Sequence, residues 1–234
     1  MARAWIGTSG FSYKEWRPAF YPEKMSDKEF LAFYASRLRS VEIDRTFYRM
    51  PNASTIDGWA ERTPEAFRFA IKASQKITHF ERLRLPSEAL DYLVGIVARL
   101  EQRLGVLLFQ LPPNLKRDDG RLTAFLEALP PGLPRAFEFR NASWFTEEVY
   151  EILRKANAGL CIHDADEGEA PLVTTAGLVY VRLRRSDYPS ALLDEWRERI
   201  RGWTGRGLEV FCYVKHEDNP DAPRLALELA QGLD

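Results

Sequence analysis

The sequence predicts a TIM-barrel-like (β/α)8 fold of the α/β class, and two observations favour it. Strand-like and helix-like segments alternate along the 234 residues, a length slightly below the roughly 250 that such barrels commonly take. No Gly/Ser linker, charge block or low-complexity stretch interrupts them, so we expect a single TIM-barrel-like domain over residues 1–234. A doubly wound open sheet is the alternative. It is disfavoured because GTSGF follows the first strand, where a GxGxxG motif would open a nucleotide-binding helix.

The first half of the chain shows this alternation clearly. Ser26 and Glu29 have the spacing of a capping box, and a helical repeat of apolar residues follows to about Arg39. Ser87 opens the most periodic helix, whose apolar stripe extends to Leu104 with Gly105 just past its end. Strands are predicted at 4–7, 40–44, 67–72 and 106–111, with a further short helix at about 54–62.

The second half continues the pattern with one interruption. Residues 164–177 have no helical period, so the crossover helix between the sixth and seventh strands is predicted to be missing or irregular. Asn219, followed by Pro220, is predicted to cap the last helix. Strands are predicted at 136–139, 160–163, 178–183 and 208–214, and helices at about 121–129, 146–159 and 191–203.

Charge and composition narrow the function classes. The chain carries 33 Lys+Arg against 34 Asp+Glu, so its overall field offers nucleic acid or an anionic membrane no general attraction. No apolar run approaches the roughly 20 residues of a membrane span, and the start lacks a signal-peptide pattern, so we expect a cytoplasmic protein with no membrane partner. Cys161 and Cys212 lie in strand-like runs without CxxC spacing, which argues against a disulfide scaffold or a zinc ribbon.

Charged residues cluster near the carboxyl ends of the predicted strands. Alternate residues of a strand share a face, and the carboxyl ends form the mouth where barrels of this class carry their chemistry. Glu42, Glu138 and Arg182 each lie between apolar neighbours, so each needs a partner if it is buried. We therefore predict a ring of opposite charges around one cavity opening.

The leading functional prediction is an enzyme that binds a small anionic or polar ligand, such as a sugar phosphate or nucleotide fragment, at this mouth. Glu138 is the expected general acid or base, Glu42 a second catalytic carboxylate, Lys72 a point charge or proton donor, and His79 a proton shuttle. Arg140 is expected to clamp a phosphate or carboxylate group. The other expected ligand-binding residues lie on strand ends or in adjoining loops: Thr8, Ser9, Tyr13, Asp44, Tyr48, Gln110, Trp144, Asp164 and Arg182.

A metal-dependent phosphodiester hydrolase or sugar isomerase is a second hypothesis. Strand-end carboxylates together with His79, His163 and His216 have the chemistry to ligate Mn²⁺ or Zn²⁺. No HxH or HExxH motif occurs, and the neighbouring Lys and Arg side chains would repel a cation. No cofactor and no metal ligand is therefore predicted, although this second hypothesis would need a divalent metal.

A non-catalytic module that binds nucleic acid or a metabolite is the third hypothesis. The candidates for a basic patch are Arg182, Arg184, Arg185 and Lys215, together with Arg197, Arg199 and Arg201 of the predicted helix. Glu195 and Glu198 alternate with the helix arginines, as is typical of a solvated helix face. Nucleic acid is therefore not the favoured partner. Two interpretations of the aromatic loop after the first strand stay open, a lid over the ligand or a plug packed against the helices. The loop carries Phe11, Tyr13, Trp16, Phe20 and Tyr21.

Eight short motifs occur in order along almost the whole chain. They are GTSGF at 7–11, Tyr13 with Trp16, FYP at 20–22, VEIDRTFYR at 41–49, TH at 78–79, LLFQLPP at 107–113, EFRNASW at 138–144 and YVRL at 180–183. This series closely resembles the YecE-like family, domain of unknown function 72, which implies a TIM-barrel-like fold without an established activity. The chain departs from the usual family pattern at Asp44 in place of Asn, at Arg184 in place of His, and at Lys215 and His216 in place of a YFNN-like ending.

Overall fold

Eight parallel strands form a nearly closed barrel, which confirms the predicted fold class. The structure is a computed structural model and describes residues 3–215 and 221–233. Its strands are β1 (Ala4–Thr8), β2 (Ser40–Ile43), β3 (Arg68–Lys72), β4 (Leu104–Gln110), β5 (Arg135–Glu138), β6 (Gly159–Ala165), β7 (Gly168–Glu169), β8 (Leu178–Leu183) and β9 (Glu209–Val214). Paired barrel strands follow the order β1-β9-β8-β6-β5-β4-β3-β2, and β7 is antiparallel to β6.

The barrel closes where β1 meets β2. An isolated parallel bridge joins Ser9 to Glu42, and the Gly10 N–H donates a hydrogen bond to the Glu42 carbonyl over 2.7 Å. Gly7 permits this close approach, because a Cβ built on it would lie 2.0 Å from the Ser40 carbonyl oxygen. The short contact explains why the first motif needs glycine in the middle of a buried strand.

Helices surround the barrel on its outer face. In the described part of the chain the α-helices are α1 (Phe30–Ala35), α2 (Ala53–Glu61), α3 (Glu88–Val97), α4 (Asp119–Ala128), α5 (Glu147–Lys155), α6 (Ser190–Gly205) and α7 (Ala222–Ala230). None of the helices in these residues is long and apolar enough to cross a membrane. Residues 166–177, between β6 and β8, contain β7 and no helix, which confirms the predicted loss of one crossover helix.

Several predicted boundaries are wrong. The helix predicted at 146–159 ends at Lys155, and Gly159 begins β6. The capping box at Ser26 is present, but α1 ends at Ala35 and not near residue 39. The helix that Ser87 caps ends at Val97, and Gly105 lies inside β4 and not past a helix end, because a leucine at position 104 fits a helical stripe and a buried strand equally well. The sixth strand continues to residue 165. The predicted helix cap at 219–220 lies outside the described residues.

Apolar side chains form two separate cores. The larger one fills the space between the strands and the helices, and it contains Cys212. The smaller one lies inside the barrel and contains Trp5, Ala70, Val106, Leu108, Ala136, Cys161, Tyr180, Phe211 and Tyr213. Both cysteines are buried free thiols. The apolar filling makes the lower lumen a packed core, so space for a ligand is left only near the carboxyl ends of the strands.

The seam between β1 and β2 gives a stability prediction. Gly7→Ala places a methyl group against a backbone oxygen that cannot rotate away, so we expect a loss of about 1–3 kcal/mol in the free energy of unfolding. Gly95→Ala is the matched control, because Gly95 lies on the exposed face of α3 and nothing lies within 4 Å of the position that a Cβ would take there. That change is expected to stabilise slightly. Urea unfolding followed by circular dichroism measures both, and equal stability of the two variants would contradict the close approach at the seam.

Candidate functional site

Arg182 joins two buried carboxylates inside the barrel. It donates hydrogen bonds from Nη2 to Glu42 Oε1 over 2.7 Å and from Nη1 to Glu138 Oε2 over 2.8 Å. Both carboxylates are fully buried, and Arg182 is only 2 % exposed. Glu42 also accepts hydrogen bonds from Ser9 Oγ and Tyr180 Oη, each over 2.7 Å. We call Glu42, Arg182 and Glu138 the buried triad.

The buried triad keeps both carboxylates ionised. Burial alone would raise the pKa of Glu42, but Arg182 and the hydrogen bonds from Ser9 and Tyr180 outweigh it and hold the pKa below its usual range. Burial likewise opposes ionisation of Glu138, but Arg182 and then Arg140, which is ion-paired with Glu138, hold its pKa far below its usual range. Neither group therefore holds a proton to donate near neutral pH.

A cavity of about 790 Å³ opens beyond Arg182 at the carboxyl ends of the strands. We call it the mouth cavity, and its volume lies within the range typical of small-molecule sites. Its cationic and imidazole side chains are Lys72, His79, Arg140, His163, Arg182 and Arg184. Asp44, Tyr48 and Gln110 also line it, and Tyr48 is 75 % exposed at the rim. Nine of the residues predicted from the sequence thus meet at this end of the barrel. They are Glu42, Asp44, Tyr48, Lys72, His79, Gln110, Glu138, Arg140 and Arg182.

Lys72, the last residue of β3, faces the mouth cavity. Its Nζ lies 4.2 Å from the centroid of the Phe47 ring, and this atom makes no ion pair or hydrogen bond with any described residue. Burial and then the charge of Arg182 lower the pKa of Lys72 to about 8, against an ordinary value of 10.5. The amine therefore exchanges protons much closer to neutral pH than an exposed lysine does.

Arg184 is a second cation without an ionic partner among the described residues. It lies two positions beyond Arg182 and lines the same cavity, where it is half-buried. Burial and then the proximity of Arg182 lower the pKa of Arg184. Arg184 was not among the predicted ligand-binding residues, although its two-residue spacing from Arg182 places it on the same face of the strand.

Two histidines complete the wall. His79 lies on a π-helical turn, Lys76–Phe80, where its Nδ1 hydrogen-bonds Thr78 Oγ1 over 2.9 Å and its ring contacts Phe47 edge-on. Burial and then Lys72 lower the pKa of His79, so the imidazole is neutral near pH 7. His163 was not among the predicted binding residues, and its buried Nδ1 has no hydrogen-bond partner in the described residues. The parity of β6 could have found it, because it lies two positions after Cys161, which points into the lumen.

Thr8 and Asp164, two of the expected ligand-binding residues, face the helices and not the mouth cavity. Thr8 Oγ1 donates to the Gly10 carbonyl over 2.7 Å and contacts the hydroxyl of Tyr34 in α1. Asp164 accepts a hydrogen bond from Arg185 over 2.6 Å and one from Trp196 in α6 over 3.1 Å. Each lies one position from a lumen-facing residue, and a shift of one residue reverses the face of a strand.

Trp144 and Tyr13 also lie away from the mouth cavity. Trp144 is buried, stacks on Phe139 with ring centroids 4.7 Å apart, and donates from Nε1 to the Leu115 carbonyl over 2.7 Å. Tyr13 lines a separate groove of about 740 Å³ beside the mouth. Ser9 contacts the buried triad but not the mouth cavity itself.

The aromatic loop packs as a plug at its centre. Trp16 and Tyr21 are buried, and Tyr21 stacks on Phe30 of α1 with ring centroids 4.0 Å apart. Phe20 contacts both Trp16 and Tyr21. The packing favours the second of the two interpretations, in which the loop packs against the helices.

Comparison with known proteins agrees with the fold and the motifs. The family described as "Protein of unknown function DUF72" matches residues 5–234. The chain belongs to the DUF72 family. The UPF0759 protein YunF of Bacillus subtilis (strain 168) is 30 % identical over 214 residues, which cover 85 % of this chain and 72 % of that protein.

Solved DUF72 structures have the same fold. A DUF72 family protein from Thermotoga maritima MSB8 matches with a TM-score of 0.84 and 28 % identity over 98 % of both chains. A DUF72 family protein from Enterococcus faecalis V583 matches with a TM-score of 0.79 and 22 % identity over 100 % of this chain and 95 % of that chain. The second likeness supports the fold alone.

Metal ligands and a basic patch, which the two alternative hypotheses need, find little support in the described part of this DUF72 protein. No three His, Cys, Asp or Glu side chains there group so as to hold a metal ion, and His216 lies outside the described residues.

The arginines of α6 are ion-paired, which reduces the positive field available to a polyanion. The pairs are Arg197 with Asp194, Arg199 with Glu169, and Arg201 with Glu198.

The buried triad gives a prediction with a distinctive pH dependence. Arg182→Met leaves Glu42 buried without an ion-pair partner and Glu138 paired with Arg140 alone, so we expect a loss of about 3–5 kcal/mol in the free energy of unfolding near pH 7. Without the guanidinium, the pKa values of both carboxyls rise, that of Glu42 more, and the loss should shrink as the pH falls and the carboxyls take up protons.

The intact protein should behave in the opposite way. The folded-state pKa of Glu138 lies below the ordinary value of 4.5, so its ion pairs stabilise the fold above that pH and lose their effect as the pH falls further. Urea unfolding at several pH values measures this, with Arg99→Met as the control because Arg99 and Asp57 form an exposed pair. A pH-independent loss in Arg182→Met would count against two ionised carboxylates.

Proposed function

We propose that this DUF72 protein is an enzyme whose mouth cavity binds a small metabolite carrying a phosphate or carboxylate group, such as a sugar phosphate or nucleotide fragment. One observation carries the proposal. Lys72 and Arg184 line the same cavity, are both half-buried, and form no ion pair with a carboxylate of the described residues. Burying a cation without a partner is costly, and a bound anion would supply the partner.

The charge balance of the site supports an anionic ligand. Arg182 and Arg140 balance Glu42 and Glu138 within the buried triad and its neighbour. Lys72 and Arg184 therefore add positive charge that the buried carboxylates do not cancel. The other carboxylates that line the cavity, Asp44, Glu167 and Glu169, form no ion pair with either cation, and Glu169 is paired with Arg199. A concave site with low-dielectric walls focuses such a field and raises the local concentration of an oppositely charged ligand.

Two proton-exchanging groups in the cavity favour catalysis over passive binding. The pKa of Lys72 is lowered to about 8, and the lowered pKa of His79 keeps its imidazole neutral. Both line the cavity, and groups that change protonation near neutral pH are the usual agents of acid–base catalysis. Glu138, expected from the sequence to be the acid or base, is ionised and doubly ion-paired. We propose that it orients Arg182 and Arg140, and that Lys72 and His79 transfer protons.

Anion binding tests the proposal. Inorganic phosphate and small phosphate esters should raise the melting temperature, whereas neutral sugars should not, because only a specific ligand of the native state stabilises it. Arg184→Gln removes a charge-assisted contact of about 1.5–3 kcal/mol, so phosphate affinity measured by calorimetry should fall roughly 10- to 100-fold.

Lys76→Met is the matched control for charge, since Lys76 is exposed and lies outside the mouth cavity. Its phosphate affinity should equal that of the unmodified protein. Equal affinity in Arg184→Gln, or no response to any phosphate or carboxylate compound, would refute the anion site. Turnover of a compound found in the same screen, lost in Lys72→Met, would establish the enzymatic part.

A further inference from the structure

Lys72 is the one primary amine among the described residues that line the mouth cavity. Its position is unusual for a lysine that only stabilises a fold. The ammonium group rests on the face of Phe47, and no carboxylate of the described residues lies within ion-pair distance. Since no ion pair holds the proton on Nζ, the amine is able to release it.

The surroundings of Lys72 disfavour its charged form. Burial and the guanidinium groups of Arg182 and Arg184 oppose the positive charge, and they outweigh the attraction of the Phe47 ring and of the Glu138 and Glu42 carboxylates for the ammonium form. A lysine that is desolvated and next to another cation is the usual form of an activated amine nucleophile. With a pKa of about 8, roughly a quarter of the amine is unprotonated at pH 7.5, against roughly 0.1 % for an ordinary lysine.

The rest of the cavity suits a substrate with two functional parts. Arg184 follows β8 and Arg140 follows β5, and both line the cavity with Lys72, so they can hold an anionic group while Nζ reaches another atom of the same molecule. To bind an anionic group alone, the cavity would need only side chains with a permanent positive charge. The combination of permanent cations and a deprotonatable amine points to an electrophilic carbon as the second part.

We propose that Lys72 forms an imine with a small aldehyde or ketone that carries a phosphate or carboxylate group; this rests on the proposed function and names its substrate class. The lone pair of unprotonated Nζ adds to the carbonyl carbon, and one Nζ proton moves to the oxygen to give a neutral carbinolamine. One further proton on the hydroxyl group allows it to leave as water, which yields the protonated imine. No electrons are exchanged with an outside reagent.

His79 is placed to move the protons of these steps. Its neutral ring contacts Phe47 edge-on at a centroid distance of 4.9 Å, and Lys72 contacts the same ring, so both groups lie around one aromatic side chain. The imine withdraws electrons from the neighbouring carbon. Reactions open to such an adduct are proton removal at that carbon or cleavage of the next carbon–carbon bond, both of which use a lysine imine as the electron sink.

Reductive trapping tests this inference on the full chain. The protein is incubated with glyoxylate, pyruvate or glyceraldehyde 3-phosphate and sodium cyanoborohydride, which converts an imine to a stable secondary amine. Intact mass should show one adduct per chain, and peptide mass spectrometry should place it on Lys72. The rate of labelling at Lys72 should rise with pH and reach half its maximum near pH 8. At neutral pH it should exceed the rate of labelling at the exposed Lys76 by roughly tenfold or more. Excess inorganic phosphate should slow it.

Three variants make the outcome decisive. Lys72→Met and Lys72→Arg should both lose the adduct, and Lys72→Arg retains the positive charge and should still bind phosphate. Lys76→Met should be labelled like the unmodified protein. Labelling spread over surface lysines, or unchanged in Lys72→Arg, would overturn the imine inference. If the imine inference fails but the protein still binds phosphate, the proposed anion site stands. If the unmodified protein does not bind phosphate at all, the proposed function is refuted as well.

Discussion

Arg182 lies between two fully buried carboxylates that come from β2 and β5, and neither strand is hydrogen-bonded to β8, from which Arg182 extends. Each of the three ions would be costly to bury alone, and together with Ser9 and Tyr180 they satisfy one another. The arrangement requires that three strands keep both their register and their height in the barrel. It therefore fixes the geometry of the lumen at the level where the apolar core ends and the mouth cavity begins.

The position of the buried triad divides the lumen into layers with different tasks. Below it, aromatic and aliphatic side chains such as Trp5 and Phe211 fill the barrel and leave no room for a ligand. Above it, the mouth cavity is lined by charged, polar and aromatic side chains, and two of its cations, Lys72 and Arg184, form no ion pair with a described residue. The triad is thus the polar floor of a site, and it orients charge without itself taking part in proton exchange.

Much of this could be predicted from the sequence, and what could not has a physical reason. Local sequence patterns predict the alternation of strands and helices. They also predict that Glu42, Glu138 and Arg182 need partners, because each charged residue lies between apolar neighbours in its strand. The sequence could not decide whether Thr8 and Asp164 face the lumen or the helices. A shift of one residue along a strand moves a side chain to the opposite face, and the strand ends could not be predicted to within one residue. The role of Glu138 could not be assigned either, since its protonation depends on Arg182, 44 positions later, and on the exact distance across the lumen.

The same guanidinium that fixes the carboxylates also acts on the amine above them. Burial opposes ionisation of Glu138 and of Lys72 alike, but Arg182 acts in opposite ways on the two, because it favours the charged form of an acid and disfavours that of a base. A carboxylate beside Arg182 is therefore held in one protonation state, whereas a lysine beside it is moved toward the pH at which both of its states are populated. Of the three groups, Glu42, Glu138 and Lys72, the one able to change its charge near neutral pH is consequently the amine, and in the reaction proposed above the two glutamates would act only through the positive charge that they hold in place.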